Sequence, residues 1–189
     1  TDSDKYAEIG SKAGLQVPFL RPVECAGDNV SAVQVAEHAL QWFKNEYAYY
    51  PEQLMWLQPT SPFRSSSIIR QAIDMLDSQE VDSVITCKEI YRNLSTLFTC
   101  NDGYLQSLNN SDHEVHTNRQ EIKPLLTPNG AMYLCETAVF LEKKTFYGKQ
   151  VTPLIMNSIN SLDIDTETDW AMAEAFIQAG LIDMEGVHG

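Results

Sequence analysis

An abrupt change of character between Leu54 and Arg64 constrains this chain more than any other feature. Leu54-Met55-Trp56-Leu57 is an unbroken apolar run, the pattern of a strand covered on both faces in the middle of a parallel sheet. Gln58 ends it. Pro59 and Pro62 lack the amide hydrogen that a sheet ladder needs, so the chain leaves the sheet there, with the hydroxyls of Thr60 and Ser61 between them. Ser65, Ser66 and Ser67 then offer caps to a helix carrying Ile68, Ile69, Ala72, Ile73 and Leu76 on one face. The order strand, polar turn, helix predicts an α/β fold with a mainly parallel sheet. In such sheets ligands bind beyond the carboxyl ends of the strands, where Gln58, Thr60, Ser61 and Arg64 fall.

The remaining segments read as further elements of this class. Thr1-Asp2-Ser3-Asp4 leads into a helix with Tyr6, Ile9 and Ala13 on one side and Gly14 at its end. Gln16 to Leu20 reads as a short strand that Arg21-Pro22 leaves. Asp28, Asn29 and Ser31 open a helix whose apolar positions Ala32, Val35, Ala36, Ala39, Leu40 and Phe43 recur at helical spacing. Trp42, Phe43, Tyr47, Tyr49 and Tyr50 read as aromatic packing at its end. Asp82 to Cys87 is a β-favouring run. Leu97 to Leu105 reads as a hairpin turned by Asp102-Gly103. From Asn109 to Lys123 the sequence is polar and aperiodic, a long loop whose His113 and His116 read as solvated rather than as metal ligands. Asn129-Gly130 predicts a tight turn, Ala131 to Cys135 a strand and Pro153 to Met156 another. A helix from Glu167 to Ala179 is expected to turn Trp170, Ala173 and Ile177 inward, and Met184 to Gly189 reads as a tail.

Composition narrows the partners. A chain of 189 residues is long enough for one domain with a substantial core and too short for two comfortable ones. A net charge of −13 repels a phosphate backbone, which argues against nucleic acid as a partner. Cys25, Cys87, Cys100 and Cys135 are widely spaced with no Cys-x-x-Cys pair, the usage of reduced thiols in a cytoplasmic protein. No apolar run of about 18 residues predicts a membrane span.

Leu57-Gln58-Pro59-Thr60-Ser61-Pro62-Phe63-Arg64 resembles the Leu-Gln-Pro-Thr-Ser-Pro-Leu-Arg signature of the acylneuraminate cytidylyltransferases, the CMP-sialic acid synthetases. Three further stretches match in the same order: Phe19-Leu20-Arg21-Pro22 with Glu24, Pro128 to Tyr133, and Ser161 to Glu167 with Asp169. The likeness runs from Thr1 to about Ala179. It implies a three-layer Rossmann-like fold of the nucleotide-diphospho-sugar transferase type, residues 1–189 forming a single domain. It also implies that the hairpin and following loop, about residues 97–125, form an arm that packs on a second subunit, hence a homodimer.

The same resemblance assigns roles. Arg21 and Ser31 fall at the nucleotide, although the residues alone equally fit a loop arginine and a helix cap. Gln58, Arg119, Asn129, Tyr133, Phe146 and Tyr147 fall at the sugar, with Arg119 facing its carboxylate through a planar fork that suits two hydrogen bonds. Tyr133 alone reads as well as a core strand tyrosine. Asp163 and Asp165 fall at a metal. Alternate residues of an extended segment share a face, and two carboxylates so close are mutually destabilising without a cation between them. Oxygen-only ligands suit magnesium. The plain alternative is an acidic helix start, because Thr166-x-x-Asp169 has the form of a capping box. The implied reaction is CTP plus an acidic nine-carbon sugar giving a CMP-sugar and diphosphate.

Two departures from the family are visible. The phosphate-loop unit expected before Thr1 is not in the sequence, so the chain is expected to be an N-terminally truncated piece of a longer enzyme, its own activity open. Thr127 stands where the family commonly has an arginine before Pro-Asn-Gly; Phe146-Tyr147 corresponds to the family's paired aromatics, with a phenol hydroxyl added in the second position. These keep legionaminic, pseudaminic or Kdo sugars open beside N-acetylneuraminate. A non-catalytic binding module of the same fold is the reading of another class.

Overall fold

A computed structural model describes residues 1–27, 29–78, 80–108 and 124–182, apart from the side chain of Ser95. His113, His116, Arg119 and the tail from Met184 lie outside the described residues. In chain order the elements are α1 (Asp4–Lys12), α2 (Ala32–Tyr47), β1 (Gln53–Trp56), α3 (Ser66–Ser78), β2 (Ser83–Ile90), β3 (Phe98–Asn101), β4 (Tyr104–Ser107), β5 (Leu125–Glu136), α4 (Thr137–Lys143), β6 (Val151–Ile155) and α5 (Glu167–Gln178).

The four-stranded sheet has the order β1-β5-β2-β6, and β3-β4 stand apart as a two-stranded ribbon. β1 pairs antiparallel with β5, Gln53 opposite Glu136 and Trp56 opposite Tyr133. The Glu136 amide donates to the Asp82 carbonyl, whereas Thr86 meets Met132, so β5 also runs against β2. Asp82 takes the Gln150 carbonyl at one end of β2 and Cys87 the Met156 amide at the other, so β2 and β6 run together. β1, β2 and β6 therefore share one direction, but the described sheet is mixed rather than mainly parallel, since β5 runs against both its neighbours, and β1 ends the strand order instead of lying in its middle. The antiparallel β5 between β1 and β2 is a long-range choice that no apolar run encodes.

Residue contacts divide the chain into two compact units, the first made of 1–56, 73–84 and 133–152, the second of 57–72, 85–132 and 153–189. In the first unit Ala36 and Leu40 of α2 pack with Cys135, Phe140 and Phe146, flanked by Leu54, Trp56 and Tyr133. α2 starts where Ser31 predicts: its hydroxyl accepts from the Gln34 amide and the Gln34 side chain accepts from the Ser31 amide, which satisfies two otherwise orphaned donors. The aromatic residues at the end of α2 pack on one another, Phe43 lying 4.6 Å from Tyr47. Gln16 to Leu20 forms no strand. Its Phe19 ring instead stacks 4.9 Å from Trp42 and 5.3 Å from His38, so aromatic packing replaces a ladder.

In the second unit Phe63, Leu162, Ala173 and Ile182 form the core, with Ile159, Ile164 and Phe176 against it. The capping box of α5 is present: Thr166 accepts from the Asp169 amide and Asp169 accepts from the Thr166 amide. The face of α5 differs from expectation. Ala173 and Phe176 turn inward, while Trp170 is 59% exposed and Ile177 lies outside the core with it. The β3-β4 hairpin forms as predicted, with Asp102 and Gly103 both at positive φ. Asn129-Gly130 makes no turn and lies inside β5.

Candidate active site

The polar turn after β1 is fastened to two other stretches of the second unit. The Ile164 amide donates to the Thr60 carbonyl at 2.8 Å, which pins the segment carrying Asp163 to the Pro59–Pro62 turn. Ser61 is 1% exposed, and its hydroxyl donates to Asp163 Oδ1 at 3.4 Å. Arg64 Nη1 donates to the Gln58 carbonyl (3.3 Å) and to the Ala131 carbonyl (2.5 Å), so one guanidinium joins the turn to β5. Half-burial lowers the Arg64 pKa from its ordinary value. Phe63, buried in the core of this unit, anchors the turn from below.

Gly130 is the centre of this arrangement. Its φ is +79°, a conformation glycine adopts without steric cost. A Cβ at this position would lie 2.5 Å from Gln58 Oε1 and 3.0 Å from Asp163 Oδ2. The Gln58 amide and the Asp163 carboxylate thus converge on the space that any other residue's side chain would fill. Asn129 is 5% exposed, with Nδ2 donating to Ser161 Oγ (2.9 Å) and Oδ1 accepting from the Ala131 amide (3.2 Å). Its amide is therefore engaged in holding the bend and the 161–163 segment. Ser161 itself is buried and also donates to the Met156 carbonyl.

Asp163 is half-buried and Asp165 exposed, the latter's amide donating to Asp169 Oδ2 at 3.3 Å. The hydroxyl of Thr166 and the neighbouring amides hold the Asp169 carboxyl below its usual value. The donor set around Gly130 is oxygen only. Asp163 brings one carboxylate there, and a hard divalent cation on it would complete its shell with water and phosphate oxygens. Among the described residues no cluster of three or more His, Cys, Asp or Glu side chains is arranged to hold a metal.

Arg21, Ser31, Tyr133, Phe146 and Tyr147 lie in the first unit, and Arg119 lies outside the described residues. A backbone hydrogen bond, then the Arg21 Nη2 hydrogen bond to Asp2 Oδ1 at 2.9 Å, hold Asp2 below its usual pKa, and Arg21 Nε is buried without a partner. Ser31 is the α2 cap described above. Tyr133 lies 5.9 Å from Phe146 and 6.2 Å from Tyr147 by ring centroids. Phe146 is buried in the core of this unit, whereas Tyr147 is about half exposed. Thr127 is part-buried in β5. A cavity of about 610 Å³ lined by Tyr50, Glu52, Gln53, Asp77 and Thr137, among others, contains none of the predicted residues.

Sequence reasoning placed Ser61 at the turn and Ser161 at the start of a matching stretch without giving either a task, and missed Arg64 as a link. A buried serine leaves no periodic signal. The Asn-Gly pair by itself reads as a turn, and only the match of Pro128 to Tyr133 to the family placed Gly130 at the site.

No protein-family model matches the chain. It is 30% identical to a CMP-N,N'-diacetyllegionaminic acid synthase of Legionella pneumophila, over 94% of this chain and 76% of that protein. It is 32% identical to an N-acylneuraminate cytidylyltransferase of Escherichia coli and 29% identical to one of Streptococcus agalactiae, covering 92% and 90% of this chain but only 40% of each of those proteins. In fold it is similar to a 4-diphosphocytidyl-2C-methyl-D-erythritol synthase from Anaerococcus prevotii, with a TM-score of 0.53 at 16% identity over 94% of this chain and 74% of that one. Identity of this level across nearly the whole chain makes the chain a member of the acylneuraminate cytidylyltransferase family, which includes the CMP-diacetyllegionaminic acid synthases.

Proposed function

We propose that the protein is a cytidylyltransferase that activates a nonulosonic acid, joining CMP from CTP to the sugar's anomeric oxygen with release of diphosphate. The observation that carries this reading is the convergence of Gln58 Oε1 and Asp163 Oδ2 over the bare Cα of Gly130. An amide beside a carboxylate can orient a sugar hydroxyl, the amide by hydrogen bonding and the carboxylate by holding positive charge where phosphate arrives. Asp163 and Asp165 would hold magnesium, which when bound polarises phosphate oxygens and offsets their charge. Ser61 orients Asp163. Arg21, Ser31, Tyr133, Phe146, Tyr147 and Arg119 keep the roles that the family resemblance gives them, at nucleotide or sugar. Asn129 acts mainly through the bend it holds.

A diacetyllegionaminic acid is the second reading for the sugar. The Legionella pneumophila relative is named for that product, and Thr127 lacks the guanidinium that a neighbouring sugar would meet. We also read the protein as a homodimer joined through the β3-β4 arm, because Phe98, Leu105 and Tyr104, the last 76% exposed, leave apolar surface on that hairpin. The four cysteines are free thiols, which supports a cytoplasmic setting. Among the described residues no helix is long and apolar enough to cross a membrane.

The test is CMP-sugar formation by the full-length protein with CTP and magnesium against N-acetylneuraminate, diacetyllegionaminate, pseudaminate and Kdo. Turnover with one nonulosonic acid at a kcat/KM at least about 10-fold above the others supports the reading and selects the sugar. Absence of a CMP-sugar from every acceptor would overturn it.

A further inference from the structure

Arg64 has no assigned task, yet among the described residues it is the charged side chain that ties the turn after β1 to β5 near Gly130. Both of its recorded bonds go to backbone carbonyls, those of Gln58 and Ala131, and both come from Nη1. Among the described residues no carboxylate lies within ion-pair distance of it. A half-buried guanidinium bonded only to carbonyls is costly as a stability device, because its charge is partly desolvated without a counterion. What it fixes is geometry. One bonded carbonyl belongs to Gln58 itself, the residue whose amide oxygen faces Gly130. The other belongs to Ala131, next to Gly130. One nitrogen thus ties the backbone of Gln58 to that of Ala131, and beside this tie Gln58 Oε1 lies 2.5 Å from where a Gly130 Cβ would be.

We propose that Arg64 is a positioning residue for the transfer reaction: its Nη1 holds Gln58 against the Gly130 bend, so that the Gln58 amide meets the sugar in the orientation that places its anomeric oxygen beside Asp163. This rests on the reading of Gln58 and Asp163 as sugar- and metal-facing groups. Arg64 acts through Gln58 and touches neither substrate. Pro59 and Pro62 restrict the turn on their own, since their φ values are fixed. They make no bond between the turn and β5 beyond Gln58, whereas the two carbonyl bonds of Arg64 do.

The test uses the full-length protein and compares wild type with Arg64→Met and Arg64→Lys, each scaled to its folded fraction by circular dichroism. Arg64→Met removes both bonds, and kcat/KM for the sugar is expected to fall about 100-fold, the loss typical of a misplaced reacting group, with KM for CTP unchanged. Arg64→Lys places one nitrogen near the same two carbonyls and is expected to lose only about 10-fold while folding like wild type. A stability role alone would lower the melting temperature and leave sugar kinetics per folded molecule untouched. That result in both variants would overturn the proposal, and if Arg64→Met does not fold, wild-type sugar kinetics in Arg64→Lys would do so alone. A wild-type protein that makes no CMP-sugar would instead fail the functional reading.

Discussion

Two dipeptides of the same turn-forming type, Asp102-Gly103 and Asn129-Gly130, take opposite parts in this molecule. The first closes the β3-β4 hairpin, with Asp102 and Gly103 at φ of 50° and 83°. A Cβ on Gly103 would meet nothing within 4 Å, so the glycine is there only for its backbone conformation. Gly130 has nearly the same φ, but its missing side chain leaves the space that Gln58 and Asp163 share, and Asn129 is buried and bonded to Ser161 and Ala131. A left-handed glycine in a ribbon tip shapes the chain. The same glycine inside a central strand makes room for chemistry.

Alanine at each glycine separates the two uses most sharply. Gly130→Ala adds backbone strain and a clash with two converging side chains, so a loss of about 3 kcal/mol of stability is expected, together with a fall of at least about 100-fold in kcat/KM for the sugar. Gly103→Ala bears the strain alone, about 1 kcal/mol, and should leave kcat/KM within about 2-fold of wild type, a difference smaller than any lost binding contact. Urea denaturation and steady-state assays on both variants read this out. Equal kinetic losses in the two would erase the distinction.

A smaller effect sharpens the contrast between the ribbon and the central strands. Cys100 in β3 is exposed, whereas Cys87 in β2 and Cys135 in β5 are buried. Burial raises the Cys87 thiol, and burial, then the charges of Asp82 and Glu136, pushes Cys135 up to about 12. At pH 8 iodoacetamide should therefore label Cys100 first, while Cys87 and Cys135 stay unlabelled until urea unfolds the chain. Peptide mass spectrometry gives the order, and labelling of Cys87 at the rate of Cys100 would show the sheet to be open where it is described as packed.

What was legible in the sequence is what local chemistry decides. Ser31 with Gln34 and Thr166 with Asp169 announce their helix starts because a cap and its partner lie three residues apart. Asp102-Gly103 announces its hairpin for the same reason. The insertion of β5 between β1 and β2, the loss of the Gln16–Leu20 strand to aromatic stacking and the short helix α4 depend on partners elsewhere in the chain. The site divides the same way. The Gln58–Arg64 turn could be read as a ligand-facing loop, but its fastenings reach 102 residues from Ser61 to Asp163 and 67 from Arg64 to Ala131. The metal reading of Asp163 came from family resemblance, since Asp-x-Asp before a helix serves equally well as an acidic helix start. Trp170 shows the limit of periodicity, which placed it inward although Phe176 takes that side.

The most direct test is a magnesium titration of CMP-sugar formation by the full-length enzyme and its Asp163→Asn variant, which keeps the shape and the hydrogen bond from Ser61 while removing the charge. The account predicts saturable activation in the wild type and a kcat at least about 100-fold lower in the variant at every magnesium concentration. A variant that turns over at the wild-type rate with the same magnesium dependence would contradict the assignment of Asp163, and with it the reason given for Gly130.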